Sequence, residues 1–119
     1  MPNIYDIDRL YRRKVTGAGS TGETIRLDLD SVKAKTLRVL THVTVENTDN
    51  TYTKVRLGID AAGVIHYLDE LDNPAKEELA VSRSDILLGE GDVFFAQCVL
   101  TAANNTLILN AVGWEASLK

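Results

Sequence analysis

Residues 17–22 read Gly17-Ala18-Gly19-Ser20-Thr21-Gly22 and match the dinucleotide-binding pattern G-x-G-x-x-G. That pattern does chemistry only where a strand precedes it and a helix follows, because the helix N-terminus holds the pyrophosphate. Here Ile25, Leu27 and Leu29 follow at period two, the spacing of a strand. The same stretch nearly spells a P-loop, with Gly17, Gly22, Glu23 and Thr24 in the right places. The pattern needs a lysine where Glu23 stands, since an ammonium offsets phosphate charge and a carboxylate repels it. The residues therefore predict a flexible turn and exclude nucleotide binding.

His42 and His66 are the two histidines, and neither belongs to a spaced ligand set. They read as strand-surface residues. Cys98 stands among Phe94, Ala96 and Leu100 on an apolar face, where burial raises a thiol's pKa and quiets it, so core filler is expected. As the lone cysteine it permits no intrachain disulfide and no cysteine-based metal site. Asp69, Glu70 and Asp72, with Glu77 and Glu78, offer oxygens to calcium but lack EF-hand spacing; a solvated acidic loop is the expectation. Asn104-Asn105-Thr106 is a formal glycosylation sequon without a secretion signal beside it. Trp114 with Tyr52 or Tyr67 would make an aromatic sugar platform, against which a single tryptophan is better used in packing or at an interface. No triad and no paired carboxylates emerge, so the chain reads as non-enzymatic, with no cofactor and no metal.

The elements behind these residues follow from size and pattern. A chain of 119 residues fits one domain, and its 45% apolar and 25% charged shares are ordinary for a globular protein. The net charge of -4 argues against nucleic acid, which needs a basic stripe. The basic cluster Arg9, Arg12, Arg13 and Lys14 has Asp6 and Asp8 beside it and reads as a solvated, ion-paired face. Charges interrupt every apolar run of the first residues, so no signal peptide is expected, and no stretch is long enough for a membrane span.

From residue 23 onward, period-two alternation dominates and predicts strands. Ile25, Leu27 and Leu29 oppose Arg26, Asp28 and Asp30. Leu37, Val39, Val43 and Val45 share one face, with Arg38, His42, Thr44 and Glu46 on the other. Asn47-Thr48-Asp49-Asn50 then predicts a reversal, so this strand and the next, which buries Val55, Leu57 and Ile59, form a hairpin. Asp60-Ala61-Ala62-Gly63 makes another tight reversal into Val64–Leu71. Gly89 and Gly91 suit a turn needing positive φ.

The last segments, 93–102 and 106–115, predict a hairpin turning at Asn104-Asn105. In that register Cys98 faces Ala111 and Ala96 faces Gly113 on an apolar side, while Phe95 faces Trp114, Gln97 faces Val112, Val99 faces Asn110 and Thr101 faces Ile108. The second side is half apolar and needs a cover. The N-terminal segment, with Ile4, Tyr5, Ile7, Leu10 and Tyr11, or another subunit is expected to supply it. That segment satisfies helical spacing and an extended arm equally.

The expected architecture is an all-β, two-sheet antiparallel β-sandwich, jelly-roll-like, over residues 23–119, with a short N-terminal arm or helix and Gly-rich turn over residues 1–22. The C-terminal stretch DILLGEGDVFFAQCVLTAANNTLILNAVGWE, with its Gly91-Asp92 turn, Asn-rich reversal and Gly113-Trp114-Glu115 ending, resembles the closing strands of small β-sandwich proteins of tailed-phage virions. These are capsid decoration and head–tail or tail accessory proteins. The resemblance implies a structural, multi-copy role in a virion. Partners would be protein: a homo-oligomer, capsid or tail proteins, with neither nucleic acid nor membrane. The chain would be made in the host cytoplasm, and its interface residues would be Ile4, Tyr5, Ile7, Leu10, Tyr11, Phe95, Val99, Ile108, Val112 and Trp114. The alternative is a carbohydrate- or ligand-binding β-sandwich module.

Overall fold

The computed structural model describes residues 9–47, 54–72, 80–81, 85–99, 101 and 105–118. Alternation of apolar and polar side chains resolves into nine strands among them: β1 (Arg9–Ala18), β2 (Ile25–Asp28), β3 (Thr36–Asn47), β4 (Lys54–Ala61), β5 (Val64–Asp72), β6 (Ala80–Val81), β7 (Ile86–Leu88), β8 (Val93–Val99) and β9 (Thr106–Ser117). The first sheet runs β1-β9-β3, and the short β7 and β6 lie one after the other along the far edge of β3. The second sheet runs β2-β8-β4-β5. All pairings are antiparallel. This is the two-sheet antiparallel β-sandwich that the alternation predicts.

The core lies between the sheets. Leu40, Val43, Val45, Leu107, Leu109 and Ala111 of the first sheet bury with Leu27, Val55, Leu57, Phe94, Ala96 and Cys98 of the second. Each such side chain removed from water contributes about 1.5–3 kcal/mol when it is Val-sized or larger.

Among paired neighbours in sequence, β4 and β5 form the hairpin. Ala61 pairs with Val64, and Ala62 (φ 53°) and Gly63 (φ 90°) form the two-residue turn between them. Positive φ at both central residues gives the twist that matches the flanking strands. The other two expected hairpins do not form. β3 belongs to the first sheet and β4 to the second; β9 belongs to the first and β8 to the second. Cys98 and Ala111 do both face the core, as do Ala96 and Leu109, but the members of each pair belong to different sheets rather than to one ladder. Phe95 therefore pairs with Asp28 and Gly58, not with Trp114, and Trp114 pairs with Leu10 and Val39. The Asn-rich segments read as hairpin turns join strands of different sheets, and residues 48–50 of the first lie outside the described residues. Of the second, residues 102–104 lie outside the described residues, but Thr101 and Asn105 are buried.

The expected faces of β3 also need correction. Val43, Val45 and Asn47 point inward, but so do Arg38 and Leu40, and Leu37 and Val39 lie on the outer surface. The register shifts between Leu40 and His42, so Thr41 is an extra residue, and a β-bulge reverses the parity of the strand. Opposite the bulge stands Gly113. A Cβ there would lie 1.8 Å from the Val39 carbonyl oxygen and 2.9 Å from Leu40 Cα, so the crossing backbone admits no side chain.

The N-terminal segment is extended wherever it is described. Arg9–Ala18 pairs with β9 along its whole length, which excludes the helical alternative for Arg9–Arg13. Tyr11 points into the core, where it meets a buried charge. Arg38 is 1% exposed, contrary to its expected place on the solvent face. Its Nε donates to Glu115 Oε2 at 2.9 Å, its Nη1 to the Asp30 carbonyl oxygen at 2.7 Å, and its Nη2 to Asp30 Oδ2 at 3.0 Å. The guanidinium stacks 4.1 Å from the Tyr11 ring centroid, and the Tyr11 hydroxyl donates to Asp30 Oδ1 at 2.6 Å. Arg9 completes Glu115 at 2.6 Å. A buried cation costs several kcal/mol in lost hydration, and this one is tolerated because its charge is paired and its donors are engaged.

Burial would raise the Asp30 carboxyl, but the Tyr11 hydroxyl and the charges of Arg38 and Arg13 outweigh it and hold the group below its ordinary range. At Glu115 burial is likewise outweighed by hydrogen bonds from Arg9 and Arg38. Burial and then the Asp30 hydrogen bond push the Tyr11 phenol up to about 12.

Two outcomes follow. Lowered carboxyl pKa values mean that the unfolded chain binds more protons in acid, so this stabilisation is full above about pH 4 and is lost as pH falls through the lowered values. Melting temperature should hold steady down to about pH 5 and drop below about pH 4, and Asp30→Asn should lower it at neutral pH while lessening the acid drop. A melting temperature that climbs on acidification would contradict the network. Separately, Gly113→Ala should cost about 4 kcal/mol or more in urea unfolding; a loss within about 1 kcal/mol would mean that the bulge yields easily.

Candidate functional site

Residues capable of chemistry are scattered or silenced. Gly17 and Ala18 end β1, and Ser20–Glu23 form a turn into β2 with Gly22 at φ 71°, so no helix follows the glycines. The turn is stitched to Thr101, whose hydroxyl donates to the carbonyl of Ser20 or Glu23 and accepts from the Ser20 N–H at 3.0 Å. His42 and His66 are exposed on different sheets. Among the described residues no group of three or more His, Cys, Asp or Glu is placed to hold a metal ion. Asp69 and Glu70, expected in a loop, lie in β5; Glu77 and Glu78 lie outside the described residues, as do Asn104 of the sequon and Tyr52. Trp114 and Tyr67 stand on opposite sheets and cannot share a platform.

What remains is the pair of outer faces. On the first sheet, antiparallel register lines up Leu10, Trp114, Val39 and Leu87 as one cross-strand row over β1, β9, β3 and β7. The row's ends are open to water, Leu10 at 68% and Leu87 at 67% exposure, and Val39 between them is walled down to 3%. The next row sets exposed Val112 between Arg12 and His42, and Ile108 lies further along β9. Arg12 and Lys14 are exposed and make no ion pair among the described residues. They flank a surface cleft of about 400 Å³ with Asn110 and Val112.

The outer face of the second sheet has the opposite character. Phe95 is buried over Gly58, where a Cβ would come 2.7 Å from the ring. The Arg26 guanidinium covers it at 4.2 Å from the centroid, and Tyr67 meets its edge at 6.1 Å and 77°. Arg26 pairs with Asp28 and Asp60, Arg56 with Glu70 at 2.7 Å, and Lys54 with Glu70 at 3.5 Å. The hydrogen bond from Arg26 holds the Asp60 carboxyl below its ordinary range, and that from Arg56 does the same for Glu70. Val99 lies on this face, opposite Lys54.

Of the residues expected at an interface, the structure brings Leu10, Ile108, Val112 and Trp114 together on the first sheet. Tyr11 and Phe95 are enclosed by the chain itself, Val99 sits on the other sheet, and Ile4, Tyr5 and Ile7 lie outside the described residues. Sequence reasoning missed Val39 and Leu87. The bulge hid the first; the signal for the second was a leucine between two core positions, Ile86 and Leu88, in so short a strand.

No protein-family model and no curated protein matches the chain. Solved structures do. A chain of the acid-stable capsid structure of Helicobacter pylori bacteriophage KHP30 covers 93% of this chain and 95% of its own, with a TM-score of 0.66 at 18% identity. A family 16 carbohydrate-binding module has a TM-score of 0.41 at 14% identity, covering 78% of this chain and 70% of its own. A mutant of a family 29 carbohydrate-binding module has 0.46 at 11%, covering 88% and 67%. The expected resemblance to phage virion β-sandwiches is thus met, as a likeness of fold. The two modules overlap too loosely to carry an argument.

The cysteine gives a check on the silenced chemistry. Cys98 is buried, and burial pushes its thiol up to about 12. Reaction with Ellman's reagent at neutral pH should be negligible in the native protein and complete in denaturant, because the thiolate is the nucleophile. Rapid native labelling would reopen a reactive role.

Proposed function

We propose that the chain is a non-enzymatic structural subunit of a phage virion, of the capsid decoration or head–tail and tail accessory kind, docking on other protein subunits through the outer face of its first sheet. The observation that carries this reading is the apolar row Leu10–Trp114–Val39–Leu87, continuous across four strands and open at both ends. A sheet face of four strands at about 4.8 Å spacing and a twelve-residue strand at about 3.4 Å per residue measures roughly 19 by 40 Å. That is close to the roughly 800 Å² each partner gives to a stable interface. Apolar anchors at the centre and exposed cations at the rim are how such interfaces divide affinity from specificity.

The fold supports the same reading. The order β1-β9-β3, with β6 and β7 along the edge of β3, facing β2-β8-β4-β5 supports a jelly-roll-like reading, an architecture used in capsid proteins. The likeness to a phage-capsid chain over nearly the whole length agrees with it. Ile4, Tyr5 and Ile7 directly precede β1 and are proposed to reach the same partner. The partner is a second copy or a capsid or tail protein, and the place is the virion.

Leu10→Glu combined with Leu87→Glu tests the face without touching the core. The wild-type chain should self-associate or co-sediment with its shell, and the double variant should do neither while its stability stays within about 0.5 kcal/mol. A wild-type protein that sediments as a strict 13.1 kDa monomer and binds no shell would defeat the proposal.

A further inference from the structure

Strand β5 is an edge of the second sheet, and its two halves differ. An edge strand offers unpaired backbone groups to any other strand, and charges or bulges are the usual guards against that. The far half of β5 has both. Asp69, Glu70 and Asp72 stand there, and the register against β4 shifts between Leu57 and Gly58 with Leu68 left over as a bulge residue. The near half, residues 64–68, carries no carboxylate, no lysine and no proline, and all five residues are exposed. Successive side chains of a strand point to opposite faces, so neither face of this edge is covered by the chain. Four of the eight large apolar side chains that the described residues expose stand here: Val64 at 58%, Ile65 at 39%, Tyr67 at 53% and Leu68 at 48%.

We infer that residues 64–68 pair antiparallel with the same residues of a second copy, about a two-fold axis through His66. In that register Val64 stands opposite Leu68 of the other copy and Ile65 opposite its Tyr67, each pair being made twice. Val64, His66 and Leu68 share one face and Ile65 and Tyr67 the other, so apolar meets apolar on both. Asp69 then falls opposite Gly63 and Glu70 opposite Ala62, and the carboxylates of one copy lie about 20 Å or more from their counterparts. Moving the axis to Tyr67 would set Ile65 against Asp69 and Val64 against Glu70, and moving it to Ile65 would set Tyr67 against Gly63. A parallel pairing would lay the two acidic halves side by side, like charge on like. Residues 64–68 thus present the same apolar pattern in either direction, which is the self-complementarity that a two-fold interface demands. A strand of some other protein would call for no such symmetry. The pairing would join two copies of β2-β8-β4-β5 into one continuous sheet. It uses an edge and leaves the outer face of the first sheet free, so it does not rest on the proposed function. A contact this short buries less than a standard interface, and a dissociation constant on the order of 1 mM is expected. It is therefore silent at micromolar concentration and takes hold where copies are held close together.

The test is disulfide trapping, because only the residue on the axis meets its own counterpart. The background is the Leu10→Glu, Leu87→Glu chain, in which association through the first sheet does not enter, and Cys98 is buried. At roughly millimolar protein under mild oxidant, His66→Cys should convert to a disulfide-linked dimer, since opposed residues of an antiparallel pair stand about 4.5–5.5 Å apart, within disulfide reach. Val64→Cys alone should give about tenfold less dimer, because the register puts it about 14 Å from its counterpart. Mixed with Leu68→Cys, it should cross-link to that chain. Adding Ile65→Lys to His66→Cys should abolish trapping without lowering the melting temperature, because a lysine on an edge blocks strand addition. The inference is overturned if His66→Cys gives no dimer, if Val64→Cys alone traps as well as His66→Cys, or if Ile65→Lys leaves trapping intact. None of these failures bears on docking through the first sheet, which is read from the wild-type chain at micromolar concentration.

Discussion

One extra residue in β3 governs what the sandwich hides and what it shows. Without Thr41, the strand would send Val39 inward with Val43 and Val45 and turn Arg38 and Leu40 toward solvent. With it, Leu40 joins the core, Arg38 goes under the sheet and Val39 comes out to lie between Trp114 and Leu87. The bulge survives because Gly113 leaves room for the β3 backbone. A bulge and a glycine across from it are thus one device, and both the buried charge and the apolar outer row depend on it.

The ends of the core are polar, and each end ties a layer crossing down. At one end Arg38 gathers Asp30, from the segment between β2 and β3, and Glu115, from β9, while Tyr11 and Arg13 bring β1 to Asp30. At the other, the Asn47 side-chain amide donates to Asn105 Oδ1 at 2.6 Å, joining the end of β3 to the entry of β9, and Gly19 donates its N–H to the Asn105 carbonyl at 2.9 Å. Apolar burial holds the two sheets together but does not specify where the chain leaves one and enters the other. Buried polar groups do, since a misplaced crossing would strand them without partners.

This division explains what was legible in the sequence. Alternation is local, so Leu27, Val55, Leu57, Cys98, Leu107 and Leu109 were assignable to the inside. The β4–β5 turn was legible too, because Ala62-Gly63 states its own geometry. Sheet membership is not local. Asn-rich reversals serve hairpins and links between sheets alike, and the apolar match of Cys98 with Ala111 holds equally for neighbours in a ladder and for residues that face one core from different sheets. The bulge was invisible because TLRVLTHVTV alternates plausibly in either parity. A signal did exist: Glu115 falls on the inward parity of β9, and an inward carboxylate requires a cation, which Arg38 supplies from the register position beside it. For the same reason half of the outer apolar row was legible, through Leu10 and Trp114, and half was not, because the bulge hid Val39 and so short a strand hid Leu87.

A β-sandwich has two outer surfaces, and nothing in the fold requires them to differ. Here they differ in the way that burying one of them would demand. The first sheet shows water an apolar row with Arg12 and Lys14 exposed at its rim, a surface that gains by being covered. The second already covers its own aromatic: Arg26 lies over Phe95, Tyr67 abuts its edge, and the Arg26 and Arg56 guanidinium groups beside them are paired with carboxylates. A subunit that docked through both faces would have no reason to cap Phe95 with its own arginine, because the partner would do so. A subunit that docked through neither would have no reason to leave Leu10 and Leu87 bare while paying that attention to Phe95. The asymmetry supports the proposed docking through the outer face of the first sheet alone.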